Sequence, residues 1–168
     1  MLEKWGKGYT KAELRAAENK FDLAFPPDLK ALFLEKRPLG GHDWRNEGAI
    51  RKMLSWPLET LLFDVENNEM WWPEWGEKPA SADSRKEVIQ HVVSQAPRLL
   101  PLFSHRFLPE MPNEAGNPVF SVYGADTIYY GANLEDYFAR ELSPSSHLQL
   151  PSVSKRIPFW SELVERNE

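Results

Sequence analysis

Fourteen prolines punctuate the 168 residues of this chain, and their placing restricts it to short elements. Proline lacks a backbone N–H and clashes with the preceding helical turn, so it starts, stops or interrupts regular structure. The first helical pattern opens at Thr10-Lys11-Ala12-Glu13, a capping box in which hydroxyl and carboxylate satisfy each other's backbone amides. Leu14, Ala17, Phe21 and Ala24 continue it at helical spacing, and Pro26-Pro27 stops it. A second helix begins near Asp28 with Leu29, Leu32 and Phe33 on one face, and Pro38-Leu39-Gly40-Gly41 ends it in a turn. Ile50, Met53 and Leu54 suggest a short helix. Pro57 suits the first turn of the next, which carries Leu58, Leu61, Leu62 and Val65. Met70-Trp71-Trp72 reads as a short strand ended by Pro73. A second capping box, Ser84-Arg85-Lys86-Glu87, opens a helix with Ile89, Val92, Val93 and Ala96 on its apolar face.

Pro97 and Pro101 then change the character of the chain. Leu100 to Leu108 alternates like a strand, with Pro101 arguing for a sheet edge or a late start. Val119 to Tyr123 and Thr127 to Tyr130 form a hairpin about Gly124-Ala125-Asp126. Asn133 caps a helix bearing Leu134, Tyr137 and Phe138. Ser143 to Ser154 reads as a polar loop, and a last helix carries Phe159, Trp160, Leu163 and Val164. Helices, a meander of short strands and closing helices predict an α+β fold, an antiparallel sheet flanked by helices. The length predicts one domain over 1–168, with its core in about 10–142 and a tail from 143 to 168. Leu29, Phe33, Leu61, Val92, Phe120 and Ile128 are the expected buried core.

Composition excludes several classes of function. There is no cysteine, hence no disulfide, thiolate nucleophile or cysteine-held metal. No apolar run approaches the roughly 20 residues of a membrane span, and the start lacks a signal-peptide core, so a cytoplasmic location is expected. Twenty basic against twenty-five acidic residues give a net charge of −5, which disfavours nucleic acid as a partner. Six of the acids fall between Glu59 and Glu77, a stretch with no Lys or Arg, so the remainder carries +1. That stretch also holds Trp71, Trp72 and Trp75. It reads either as a solvated face over core tryptophans or as a protein-binding surface built from Glu66, Glu69, Trp72, Glu74, Trp75 and Glu77. Trp75, in a Pro-Glu-Trp-Gly loop, is the expected exposed anchor, and Trp56 is expected in the core.

Signs of chemistry are sparse. His42, His91, His105 and His147 have no ligand spacing, so neither metal nor cofactor is expected. Asp64 and Glu66 lie two apart on a helix and cannot share a cation. No phosphate-binding loop, dinucleotide fingerprint or nucleophile elbow is present. Asp28-Leu29-Lys30 echoes a nuclease signature only on three residues at a helix start. The chain is therefore not expected to be an enzyme, and no residue is assigned as catalytic. On an alternating strand His105 and Arg106 point to opposite faces, and Arg106, sharing its face with Leu102 and Leu108, calls for a structural ion pair or carbonyl clamp, with a ligand contact as the alternative. His105, Tyr123, Tyr129 and Tyr130 are candidates to line a groove at the sheet.

Several fragments together resemble a known family. They are Pro101 to Pro109, Gly116-Asn117-Pro118 with Val119 to Tyr123, and Ile128-Tyr129-Tyr130-Gly131 with Asn133-Leu134. Upstream stand the Glu18-to-Phe33 helix pattern, Trp56-Pro57-Leu58 and Trp71-Trp72 with Trp75-Gly76. This string resembles the SUKH superfamily, bacterial immunity proteins related to a yeast regulator of cell-wall synthesis, over residues 10 to 142. The resemblance implies a Trp-Pro turn at 56–57 and an aromatic strand at 71–72. It also implies a non-enzymatic protein that binds and neutralises a cognate polymorphic toxin of nuclease or deaminase type. A regulatory or scaffolding role with an endogenous partner, and a small-ligand binder, are the alternatives. The family's Asn-Gly turn after the second helix is replaced here by Pro38-Leu39-Gly40-Gly41, and the tail after Ser143 lies outside the resemblance.

Overall fold

The computed structural model of the protein describes residues 4–143 and 151–167. His147 and most of the polar loop expected over 143–154 lie outside the described residues. A four-stranded antiparallel sheet runs in simple order through β3 (Leu99–Phe103), β4 (Arg106–Pro109), β5 (Val119–Ser121) and β6 (Ile128–Gly131). Helices cover both of its faces, so the fold is α+β. On one face lie α1 (Lys11–Phe21), α2 (Pro27–Glu35) and α5 (Leu134–Leu142). Their Leu14, Phe21, Leu29, Phe33 and Tyr137 join Leu100, Leu108 and Val119 in a first core. The other face carries the C-terminal part of α3 (Glu47–Asn67), α4 (Ala82–Gln95) and α6 (Trp160–Asn167). There Leu61, Val65, Ile89 and Trp160 meet Leu99, Phe107 and Phe120 in a second core. A separate two-stranded ribbon pairs β1 (Trp5–Lys7) with β2 (Lys36–Pro38). No helix among the described residues is long and apolar enough to cross a membrane.

The Thr10 capping box forms as expected, with bonds of 3.0 and 2.9 Å. α1 nevertheless stops at Phe21, five residues before Pro26. Asp22 turns left-handed (φ 52°), and the exposed Ala24 gives its amide to the Glu110 carboxylate at 2.6 Å. The two helices expected about Pro57 are one, Glu47–Asn67. An interior proline costs about 3 kcal/mol. Here its ring is buried, and Ile50, Leu61 and Val65 anchor the helix on both sides, so packing overrides propensity. The Trp-Pro turn implied by the resemblance is therefore helical. Met70 to Trp72 form no strand. They lead into a 3-10 turn, Pro73–Trp75, where ring packing takes the place of ladder bonds.

The cap of α4 is Ser81 rather than Ser84; the Ser81 hydroxyl accepts from the Ser84 amide at 3.1 Å. The single strand expected over 100–108 is a hairpin. Phe103 pairs with Arg106 across a Ser104-His105 turn, and Ser104 adopts φ 49°. The 119–130 hairpin and the Asn133 cap are present, though β5 ends at Ser121. Of the six expected core residues, Leu29, Phe33, Leu61 and Phe120 are buried. Val92 and Ile128 are only half-buried, because the innermost positions beside them go to Ile89 and Phe120. The tail belongs to the core rather than outside it: Ile157, Trp160, Leu163 and Val164 are all buried.

Candidate functional site

The tryptophan-rich acidic segment is built inward more than outward. The Trp72 ring is 9% exposed, stacked on Trp75 at 5.0 Å and 21°, and covered by the Arg166 guanidinium at 3.9 Å. Trp71 meets Trp75 edge-on at 5.2 Å and donates its indole N–H to the Gly76 carbonyl at 2.8 Å. Trp75 is thus half-buried within a stack and is not a free anchor; Trp72 lies beneath the surface.

The acids are also less isolated than their sequence neighbourhood indicates. Arg85, arriving on α4, holds Glu66 in a two-bond fork, both at 2.7 Å. Arg166, arriving on α6, binds Glu74 at 2.7 Å. These charge-assisted bonds hold both carboxyls below the usual glutamate range. Asp64 accepts from the Ala125 amide and the Asn68 side chain. Glu59, Glu69 and Glu77 are exposed and form no ion pair with the described residues.

Of the four candidate groove residues, His105 and Tyr123 meet edge-on at 5.8 Å, whereas Tyr129 and Tyr130 part to opposite faces of the sheet. Successive residues of β6 point to opposite faces. Tyr129 goes to the second core, 5.2 Å from the Phe120 ring, and donates its hydroxyl to Ser161 at 2.7 Å. Tyr130 goes to the other face, where the Arg106 guanidinium lies 3.9 Å over its ring. His105 and Arg106 do not diverge, because His105 sits in the hairpin turn. Arg106 donates to the His105 Nε2 at 2.7 Å and to the Ser121 hydroxyl at 2.9 Å. Guanidinium can only donate, so His105 carries its proton on Nδ1, facing the Ser104 hydroxyl at 3.1 Å. Glu141 on α5 lies 3.4 Å from the Arg106 Nε and accepts the Tyr137 hydroxyl at 3.0 Å. Glu141 supplies the counter-charge that Arg106 requires, as an ion pair in which Nε is not aligned for a hydrogen bond. Burial, then the neighbouring Arg106 charge, pushes the His105 imidazole below its ordinary value. Burial chiefly, with Glu141, pushes the Tyr137 phenol well above its own.

The most accessible aromatic surface lies elsewhere, on α3 and the turn after β5. Phe63 is 61% exposed and Tyr123 56% exposed. The Trp56 indole, half-buried rather than in the core, meets the Tyr123 ring edge-on at 5.5 Å and donates to the Val122 carbonyl at 2.7 Å. The turn is fixed to the helix beneath it. Gly124, at φ 61°, lies so close that an added Cβ would strike the Asp64 carboxylate and come within 2.7 Å of the Thr60 carbonyl. Trp56 and Phe63 are seven residues apart, so they share one stripe about 10 Å long, with Glu59 beside it. The sequence contains the signal for this ridge. Phe63 falls opposite the Pro57, Leu61 and Val65 stripe, and a large aromatic on the wrong side of an amphipathic helix is exposed.

An open groove of about 1140 Å³ lies between the ribbon, α2 and α5, with Trp5, Leu32 and Phe138 among its lining. Lys4, Lys36, Asp28 and Glu35 bring charges of both signs to it. Among the described residues no group of three or more His, Cys, Asp or Glu side chains could hold a metal ion. In comparisons with known proteins, no family model, no curated protein and no solved structure matches this chain.

Proposed function

We propose that this chain is a non-enzymatic protein-binding module of the immunity type that the SUKH resemblance implies, occluding a cognate toxin domain within the cell. One observation carries the reading: Phe63 and Tyr123 stand exposed on a ridge whose backbone is pinned by Trp56, Asp64 and Gly124. Aromatic anchors on a rigid support are what protein interfaces use, since they bring large contact area at low entropic cost. The groups that look most chemical fit the same reading. Arg106, His105 and Glu141 bind one another and the sheet. The open groove by Trp5 and Phe138 is the observation that favours a small-ligand reading. Its mixed charges and openness favour that reading less than the ridge favours a protein partner.

The test is parallel affinity capture with the tagged chain and with a Phe63→Ala/Tyr123→Ala variant, each retained protein being assayed free and bound. A stoichiometric partner, inactive while held and released by the variant, is the expected result. A partner that stays active in the complex would replace the immunity reading with the regulatory one. Equal retention by both forms would remove the ridge from the interface.

A further inference from the structure

Among the described residues this protein lays its own cations on five of its aromatic rings. Lys36 covers Trp5, Arg37 and Arg45 flank Tyr9, Arg51 covers Phe21, Arg106 covers Tyr130 and Arg166 covers Trp72. The rings of Trp56, Phe63 and Tyr123 carry none, although Phe63 and Tyr123 are the most exposed of its large aromatics. Beside them Glu59 is exposed without an ion pair, and Asp126 is exposed at the end of the same turn. Of the two cations of α3, Arg51 pairs with Glu47 and covers Phe21, and Lys52 lies one turn before Trp56, eleven residues and about 16 Å along the helix from Phe63. Phe63 and Tyr123 thus stand exposed with no cation stacked on them, Tyr123 meeting only Trp56 and His105 edge-on, and with the Glu59 carboxylate beside the stripe.

Resting on the protein-binding reading, we propose that this ridge seats arginine side chains from a basic loop of the partner protein, stacked on Phe63 and Tyr123 and paired with Glu59. Guanidinium fits this seat better than ammonium. It is planar, stacks on a ring face, and is more weakly hydrated, so it can stack and pair at once. The Trp56 indole and the backbone of the turn are fixed in advance by the Val122 and Asp64 contacts, so little backbone ordering is required on binding.

The experiment titrates the isotope-labelled full chain with a blocked peptide of alternating arginine and glycine, and with its lysine counterpart. Expected are amide shifts confined to 56–64 and 122–126, and binding about threefold tighter for the arginine peptide. Phe63→Ala and Tyr123→Ala should each weaken that binding two- to fivefold, and Phe63→Leu, which keeps apolar bulk but no ring, should weaken it as Phe63→Ala does. Glu59→Gln should reduce the salt dependence. Equal affinities for the two peptides overturn the arginine assignment, as do shifts centred on Glu69 and Glu77 or on α6. Concentration-dependent self-association through the ridge without peptide would assign it to a second copy instead. The two readings fail separately. Capture lost with the Phe63→Ala/Tyr123→Ala variant but no arginine preference keeps the protein-binding reading and removes this one. Arginine preference with unaltered capture removes the ridge from the partner interface.

Discussion

The carboxylate of Asp64 accepts a 2.7 Å hydrogen bond from the backbone amide of Ala125, 61 residues further along the chain. This bond fastens the β5–β6 turn to α3, and Gly124 lets the two backbones approach. Gly124→Ala meets two penalties together: a left-handed φ that a Cβ disfavours, and a collision with the Thr60 carbonyl, which is backbone and cannot swing aside. It should destabilise by about 2–3 kcal/mol in urea unfolding. Asp64→Ala should cost about 1–2 kcal/mol by loss of two bonds, one to the Ala125 amide and one to the exposed Asn68 side chain. Gly124→Ala equal to wild type in that assay would show that the turn does not rest on α3.

Arg106 and Glu141 form a largely covered pair, their side chains 15% and 13% exposed. Removing one partner leaves a charge under cover, whereas removing both removes the problem. Glu141→Gln, which still accepts the Tyr137 hydroxyl, should cost about 2–4 kcal/mol. Adding Arg106→Met should recover most of that loss, and a double-mutant cycle measures the coupling. An additive double variant would mean that Tyr130 and Ser121, rather than Glu141, hold the guanidinium.

Trp160 lies buried in the second core and donates its indole N–H to the Pro97 carbonyl at 2.7 Å. Trp160→Ala should cost about 3–5 kcal/mol, on the scale of Phe120→Ala. Loss of under 1 kcal/mol by equilibrium unfolding would return the C-terminal helix to the status of an appendage.

What was legible in the sequence divides by range of interaction. Thr10 with Glu13, and Asn133 before Leu134, announce helices because cap and periodicity sit within one turn of each other. The Gly124 turn announces its hairpin for the same reason. Pro57 misleads because its cost is set by local geometry, while its tolerance comes from burial of the helix on both sides. Ser81 and Ser84 are both plausible caps, and only the direction of the chain after Ala80 selects the first. The strands at Trp5–Lys7 and Lys36–Pro38 are too short to show a period of two. The acidic run looks uncompensated from within its own window because Arg85 and Arg166 arrive from 19 and 92 residues away from Glu66 and Glu74. Phe63 was readable as the aromatic off the buried stripe, but Tyr123 comes from the β5–β6 turn 60 residues further along and could not be joined to it.

His105 gives the molecule a pH dependence whose sign follows from its contacts. The fold holds the imidazole neutral, through burial and the adjacent Arg106 charge, so its pKa is lower folded than unfolded. The unfolded chain therefore binds the extra proton first. This contribution to stability is fully present above the ordinary histidine value near 6.5 and is lost as pH falls through the lower folded value. Protonation also turns Nε2 into a donor facing a donor, which breaks the 2.7 Å link to Arg106. Urea unfolding from pH 7.5 to about 5 should show stability declining on acidification. His105→Gln, whose amide oxygen can still accept from Arg106, should reduce that slope. Ring-proton NMR should place the His105 midpoint below that of free histidine, and the Tyr123 ring, 5.8 Å away, should report the same midpoint. A midpoint at or above 6.5, or an unchanged slope in His105→Gln, would mean that the Arg106 hydrogen bond does not hold the ring neutral.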